Sequence, residues 1–207
     1  LNQIFLSKIH LIMSYKPTFL YLIKECFNVI YSIIFAPYVK FTKQSVVIIM
    51  DPIEAYSNLY STKHIRNINK LITYATKNDV PVIFTRWIRT KEPIVGDKID
   101  EKGHWTFYVP NNETNIVKEI HQNGTIIEVK HTNAFMHEDF KELVKNKDNI
   151  ILAGAWLESC ILNTTRCALD CNMSVSVVRN ASTGHFPLNY ISMFDINKRK
   201  FIFSMGS

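Results

Sequence analysis

Residues 150–171 read IILAGAWLESCILNTTRCALDC. The first four form a short, unbroken apolar run, which is typical of a strand buried on both faces of a parallel sheet. Gly154 ends that run, and from Glu158 onward the apolar spacing is helical. Cys160 is therefore predicted to lie on the first turn of a helix, where unpaired N–H groups and the helix macrodipole favour an anion. Its thiol is expected to lose a proton more readily than a free cysteine, as a nucleophile would; the alternative is a small buried core cysteine.

Two further apolar runs end in charged residues. Residues 45–51, SVVIIMD, end in Asp51, and residues 125–130, TIIEVK, end in Lys130. In open α/β sheets, ligands bind outside the carboxyl ends of the strands. An acid, a cation and a thiol that converge there suit nucleophilic catalysis. We therefore expect Asp51, Lys130 and Cys160 to lie together.

The remaining segments predict an α/β fold. Apolar residues recur through residues 61–77 at helical spacing, which predicts an amphipathic helix that covers a sheet. Strands and helices then alternate, which predicts a three-layer, doubly wound and mostly parallel sheet with right-handed crossovers. Further strands are predicted at 80–86, 149–153, 173–178 and 200–204, and further helices at 138–145 and 158–170.

Together these stretches resemble the isochorismatase-like cysteine hydrolase superfamily. The resemblance is carried by VVIIMDPIEAY, PVIFTRW, EVKHTNAF with HEDFKELV, and the stretch around Cys160, which come in the family's order and spacing between Ser45 and Ala181. It implies the isochorismatase-like hydrolase fold. It also implies that Asp51, Lys130 and Cys160 form a catalytic triad.

The resemblance further implies acyl transfer through a thioester. The thiolate of Cys160 would attack an amide-type carbonyl, and Asp51 would accept the thiol proton and return it to the departing nitrogen. Backbone N–H groups of Trp156 and Cys160 would form the oxyanion hole. A cis peptide bond between Ala155 and Trp156 would aim the first of these donors. Leu157 stands where many family members have Thr, so the hydrogen bonding of this turn is expected to differ.

Two other functions stay open at this point. True isochorismatases hydrolyse a vinyl ether with the acid as proton donor, and they have Gly where this chain has Cys160. The cysteine therefore favours an amidase-type hydrolase of C–N bonds other than peptide bonds. The second alternative to the amidase-type hydrolase is a protein of this fold that has no catalytic activity and serves in assembly or membrane association.

The irregular segment 87–124 carries aromatic residues, and such loops often wall a pocket. The substrate pocket is predicted to include Trp87, Trp105, His131 and Trp156. Trp156 would narrow the pocket or stack on a flat substrate, or it would only pack the turn. His131 would touch the pocket or lie in a solvated loop.

Metal binding and other cofactors are not predicted. Asp97, Asp100 and His104 could mimic a metal cluster. However, the Asp-x-His element that the nicotinamidase branch of the resembled family uses for its metal is absent. We therefore expect a small-molecule substrate and no cofactor.

Charge and cysteine content bear on partners and compartment. The chain has a net charge of +6, and residues 1–44 hold five Lys against one Glu, so the rest is nearly neutral. A nearly neutral body argues against nucleic-acid binding. Cys160, Cys167 and Cys171 follow one helix face that is predicted to pack against the sheet, so the thiols, with Cys26, are expected to stay reduced, as in the cytoplasm.

The sequence predicts two regions. Residues 1–44 form an apolar, basic extension, predicted to be helical, and residues 45–207 form the hydrolase domain. Apolar surface of this kind marks interfaces, so the protein is expected to be a homo-oligomer. Membrane-surface association through the lysines of residues 1–44 is the alternative.

Overall fold

The structure is a computed structural model that describes residues 39–88 and 109–184, together with the backbone of residues 201–204. Six parallel strands form one sheet in the order β3-β2-β1-β4-β5-β6. Helices flank this sheet, so the predicted doubly wound α/β fold is confirmed. The strands are β1 (Ser45–Met50), β2 (Val82–Trp87), β3 (Thr125–Val129), β4 (Asn149–Gly154), β5 (Ser174–Ser182) and β6 (Phe201–Ser204).

The strand order reverses between β1 and β4, which pair along their whole length from Ser45 with Asn149 to Met50 with Gly154. Every residue of both strands is buried. This explains why the two segments read as continuous apolar runs, since strands in the middle of a parallel sheet have no solvent face. In an open α/β sheet the reversal leaves a crevice at the carboxyl ends of the two strands, where ligands bind.

Three α-helices are present in the described residues: α1 (Thr62–Lys77), α2 (Glu138–Val144) and α3 (Leu162–Asp170). Helix α1 begins with a reciprocal capping arrangement between Ser61 and His64, and it buries Ile68, Leu71 and Ile72. This apolar face packs on β1, β2 and β5. None of the described helices has the length and apolar character needed to cross a membrane.

The hydrolase body extends upstream of Ser45. Val39 is buried in the core, and the ring of Phe41 stacks on Tyr74 of α1 with centroids 4.7 Å apart. The side chain of Asn149 donates to the Ser45 hydroxyl at 2.7 Å, which fixes the start of β4 against the start of β1. The rest of the extension predicted for residues 1–44 lies outside the described residues.

Candidate active site

Two chain segments meet at the carboxyl ends of β1 and β4. Gly154 has a φ of +107°, and a methyl group there would lie 2.2 Å from the carbonyl oxygen of Met50. Only glycine permits this approach, since both the conformation and the space exclude a side chain. The Ala155 N–H then donates to the Met50 carbonyl at 2.8 Å. The turn after β4 is thereby held beside Asp51.

Asp51 is fully buried at the end of β1 and adopts a left-handed φ of 45°. Thr85 on the neighbouring strand β2 fixes its carboxyl group, because the Thr85 hydroxyl donates to Oδ1 at 2.6 Å. The same hydroxyl accepts the Asp51 backbone N–H at 2.9 Å. The thiol of Cys160 and the backbone of Trp87 lie close enough to this side chain to lower its pKa, while Oδ2 has no hydrogen-bond partner of ordinary geometry within the described part of the chain. Thr85 therefore fixes one orientation of the carboxyl group, with the thiol beside it.

Burial raises the pKa of Asp51 to about 6, and the hydrogen bonds from Thr85, Cys160 and the Trp87 backbone limit that rise. A carboxyl group with this pKa is ionised at neutral pH but accepts a proton easily. This is the behaviour that general acid–base catalysis needs.

Cys160 lies in a widened helical turn, Leu157–Ile161, that precedes α3. In this turn the Ile161 N–H bonds to the Trp156 carbonyl five residues back, at 3.1 Å. Such π-type turns are frequent at functional sites. The peptide bond between Ala155 and Trp156 is cis. The predicted helix at 158–170 thus begins with a π turn that carries the cysteine.

The expected acidity of the Cys160 thiol is wrong. Its pKa is raised well above the usual value, first by burial and then by the charge of Asp51 and the hydrogen bond between the two groups. Hydrogen bonds from the Trp156 backbone and the Ser159 side chain lower it, but by less. The lowering of the thiol pKa expected at a helix start is outweighed, because Cys160 is only 7% exposed and its thiol lies beside a carboxylate. At neutral pH the site therefore holds a protonated thiol beside an ionised carboxylate.

Lys130 follows β3 directly, and its side chain is exposed. Among the described residues, none of the hydrogen bonds or ion pairs involves its ammonium group, and its backbone N–H donates to His137 Nε2 at 3.2 Å. Strand β3 is two strands from β1, a separation of roughly 10 Å at the usual strand spacing. The structure thus brings Asp51 and Cys160 together, and it leaves the Lys130 side chain outside that pair.

A small pocket opens beside the thiol. Its described lining consists of Tyr56, Trp87, Thr132, Trp156, Ser159 and Cys160. The rings of Tyr56 and Trp156 meet edge to face, with centroids 5.3 Å apart. Of the residues predicted for the pocket, Trp87 and Trp156 lie in this lining and His131 does not. Trp105 lies outside the described residues.

Sequence reasoning missed several residues of this site. Thr85 interrupts the apolar run of β2, and a buried polar residue in such a run is a signal that could have identified it. Tyr60 is buried below the site, with its hydroxyl 3.4 Å from the Asp51 carbonyl oxygen. Thr132 and Tyr56 carry no distinguishing pattern, because only the tertiary fold brings them to the thiol.

The other helix cysteines do not share the burial of Cys160. Cys167 is half-buried and Cys171 is exposed, so the predicted packing of all three on the sheet is wrong. Cys171 is the residue that caps the carboxyl end of α3. Within the part of the chain that the structure describes, no cluster of His, Cys, Asp or Glu could hold a metal ion. Asp97, Asp100 and His104 lie outside that part.

A buried acid beside a thiol, at the carboxyl ends of neighbouring strands in a doubly wound sheet, is an arrangement suited to nucleophilic catalysis. A family model for the isochorismatase domain matches residues 46–198. The chain belongs to the isochorismatase family of hydrolases. No curated protein matches the chain.

Solved structures share this fold. An isochorismatase from Pseudomonas putida KT2440 is 20% identical, with a TM-score of 0.61 over 82% of this chain and 91% of that one. An N-carbamoylsarcosine amidase from Thermoplasma acidophilum is 16% identical, with a TM-score of 0.65 over 79% and 97%. A cysteine hydrolase from Pseudomonas syringae pv. phaseolicola is 16% identical, with a TM-score of 0.65 over 82% and 93%. At these identities the likeness shows the fold alone.

Proposed function

We propose that the protein hydrolyses a small amide-type C–N bond through a thioester on Cys160. The observation that carries this proposal is the position of the Cys160 thiol beside the fully buried carboxyl group of Asp51, close enough for each group to shift the pKa of the other. A general base with a pKa of about 6, in direct contact with a thiol, matches the pairing of base and nucleophile that covalent catalysis requires.

The reaction proceeds in two halves. As the Cys160 sulfur attacks the substrate carbonyl, its proton passes to Asp51, so no free thiolate needs to accumulate. Asp51 then gives this proton to the departing nitrogen as the C–N bond breaks, which leaves the acyl group on sulfur. In the second half, Asp51 takes a proton from water, the hydroxide attacks the thioester, and the proton returns to the sulfur.

Backbone donors stabilise the tetrahedral intermediates. The backbone of Trp156 hydrogen-bonds to the thiol and lowers its pKa, as an N–H donor does, so it lies where charge develops. We propose that this N–H and that of Cys160 form the oxyanion hole. Preorganised donors of this kind are worth roughly 3–4 kcal/mol each in related chemistry.

Lys130 is proposed to stabilise the developing negative charge. Its flexible four-carbon stem can carry the ammonium group from the end of β3 toward the ends of β2 and β1. In that position it would favour the ionised form of Asp51 and the transient thiolate of Cys160. This role requires the ammonium group to turn from its solvent-exposed position toward the Asp51–Cys160 pair.

The amide-type reaction is favoured over vinyl ether hydrolysis by the thiol itself. Vinyl ether hydrolysis needs only a proton donor, and a buried Cys160 bonded to Asp51 would have no step to perform. The structural neighbour named as an N-carbamoylsarcosine amidase supports this choice of reaction class. Its substrate is not transferred to this chain, because the identity is only 16%.

The test is a panel of small carboxamides and N-carbamoyl compounds with ammonia release as the readout. The wild type should turn over at least one compound and accumulate an acyl adduct on Cys160, visible by intact mass after acid quench. Cys160→Ala should abolish turnover and adduct, and Cys171→Ala should change neither, because that thiol is exposed and outside the pocket. Turnover by Cys160→Ala would refute the proposed thioester and support hydrolysis of the C–N bond by acid–base catalysis alone.

The apolar residues 1–44 support a separate proposal, that the protein is a homo-oligomer. Val39 and Phe41 pack on the core, so a truncated chain should begin at Pro37. If the proposal is right, this truncated chain should either fail to form the oligomer or aggregate. Light scattering distinguishes both outcomes from an unchanged oligomer. A soluble chain of unchanged mass that no longer pellets with acidic vesicles would instead support the membrane-surface alternative.

A further inference from the structure

The turn that follows β3, residues 130–137, holds its shape through side-chain acceptors. The N–H of Lys130 bonds to His137 Nε2 at 3.2 Å, and the N–H of Asn133 bonds to His131 Nδ1 at 3.2 Å. The N–H of Ala134 bonds to the hydroxyl of Thr164 on α3 at 3.1 Å. This stretch, called here the Lys130 turn, thus uses two imidazole nitrogens as acceptors of backbone N–H groups.

The Lys130 turn reaches the candidate site. Thr132 lines the pocket beside Cys160, and the Asn163 side chain donates to the Thr132 hydroxyl at 2.9 Å. Thr164, which accepts from the turn, is fully buried on the helix that follows the cysteine. The conformation of the turn therefore sets both a pocket wall and the direction in which Lys130 leaves β3.

His137 occupies a helix position that a different residue type would fill better. It is the N-cap of α2, where Ser, Thr, Asp or Asn normally bonds the free N–H groups of the first turn. Its side chain makes no such capping bond. Instead the ring reaches back to the Lys130 N–H. A histidine here is explained by the turn rather than by the helix.

We propose that His137 is a positioning residue for Lys130, and that it acts only as the neutral imidazole whose Nε2 is unprotonated. This inference rests on the proposed function of Lys130. An imidazole that accepts a bond at Nε2 must carry its proton at Nδ1, and protonation of Nε2 replaces an acceptor with a donor facing the Lys130 N–H. His131 supports the same turn in the other tautomer, with Nδ1 unprotonated.

Protonation of His137 at low pH should therefore break its bond with the Lys130 N–H. The pKa of His137 is lowered from 6.5 by burial and by the neighbouring His131 and Lys130, while Asp139 on α2 acts in the opposite direction. The neutral form is thus favoured in the folded protein. The Lys130–His137 bond is fully present above pH 6.5 and is lost as pH falls through the lowered value.

Three variants of the full-length protein separate positioning from helix stability. His137→Gln places an amide oxygen near the position of Nε2 and cannot be protonated, so it should preserve the bond. His137→Ser is a better N-cap but is too short to reach Lys130. His137→Ala lacks both functions. A role in α2 alone predicts that Ser restores function, whereas the positioning role predicts that only Gln does.

Backbone amide exchange of Lys130, followed by NMR, is the first measurement, because it does not depend on enzyme activity. At pH 7.5 the Lys130 amide should exchange roughly fivefold faster in the Ser and Ala variants than in the wild type, and at the wild-type rate in the Gln variant. Imidazole spectra of the wild type should show His137 Nε2 unprotonated. Unchanged exchange in the Ser variant, or a protonated Nε2 at pH 7.5, would overturn the inference.

The kinetic measurement is kcat/KM against pH with the best compound of the amide panel. The Ser and Ala variants should fall roughly fivefold at pH 7.5, and Gln should stay within about twofold of the wild type. As pH falls through the lowered pKa of His137, the wild type should lose an additional factor, up to about fivefold, that the Gln variant does not lose. Unchanged kcat/KM in the Ser variant despite faster exchange would overturn the positioning role. If no compound is turned over, the proposed function fails, and the exchange and tautomer results still decide whether the bond exists.

Discussion

Replacing Asp51 with Asn is expected to stabilise the protein at neutral pH while it abolishes catalysis. The pKa of this buried carboxyl group is raised from 3.8 to about 6 by loss of hydration. Between these values the folded protein holds a proton that the unfolded chain has released. Stability therefore falls as pH rises through this window, and above it the folded state carries the full cost of the buried charge.

The size of this effect follows from the shift of the pKa. A shift of about 2 units corresponds to about 3 kcal/mol at 1.36 kcal/mol per unit. An amide at position 51 has no charge to bury and can still accept the Thr85 hydroxyl. It forms a poorer bond with the Cys160 thiol, which removes about 1 kcal/mol. We expect Asp51→Asn to be more stable than the wild type by about 2 kcal/mol at pH 7.5, and equal or slightly less stable at pH 4.

Urea unfolding at pH 4, 5.5 and 7.5 measures this difference, with a rise in Tm of roughly 4–8 °C at pH 7.5 as a second readout. Asp148→Asn is the matched control, since Asp148 is an exposed carboxylate before β4 with no burial cost to relieve. Ammonia release by Asp51→Asn should fall to background. A variant that is no more stable than the wild type at pH 7.5, or equally stabilised at pH 4 and 7.5, would refute the burial reasoning.

Substitutions at two positions and one labelling experiment test the rest of the site. Thr85→Val removes the hydroxyl that lowers the carboxyl pKa, so the acidic limb of kcat/KM should move up by about one pH unit, while Thr85→Ser should leave it in place. Gly154→Ala should destabilise the fold by more than about 3 kcal/mol in urea unfolding, since the added methyl would lie 2.2 Å from the Met50 carbonyl oxygen; a change below 1 kcal/mol would contradict this. At pH 7 the exposed Cys171 should be alkylated by iodoacetamide before Cys160, which is buried with a raised pKa; peptide mapping that finds Cys160 labelled first would count against the protonated thiol.

The fold was predictable from sequence because its central strands obey simple patterns. After the polar first residues Ser45 and Asn149, the runs at 45–50 and 149–154 are apolar, and both strands are buried along their full length. Once those runs are strands of a parallel sheet, the residues that follow them must lie at one edge. The meeting of Asp51 with Cys160 follows from that topology, since β1 and β4 are neighbours.

The properties of the site were less predictable, because they depend on neighbours that are distant in sequence. A position at a helix start predicts an acidic thiol, but the burial of Cys160 and the charge of Asp51 reverse the sign of its pKa shift. The strand order also matters for Lys130. Sequence places it at the end of a strand, but only the structure shows that this strand is at the sheet edge, two strands from Asp51.

Departures from ordinary folding rules concentrate at the ends of β1 and β4. Asp51 combines a left-handed backbone with a buried charge, and Gly154 permits a backbone contact that no other residue allows. Proteins commonly break local rules of this kind where function requires it. The fold itself does not require an acid at position 51, since the Thr85 hydroxyl could donate equally well to an amide. The proposed exchange of a proton with Cys160 would explain why an ionisable group that destabilises the folded state at neutral pH stands at this position.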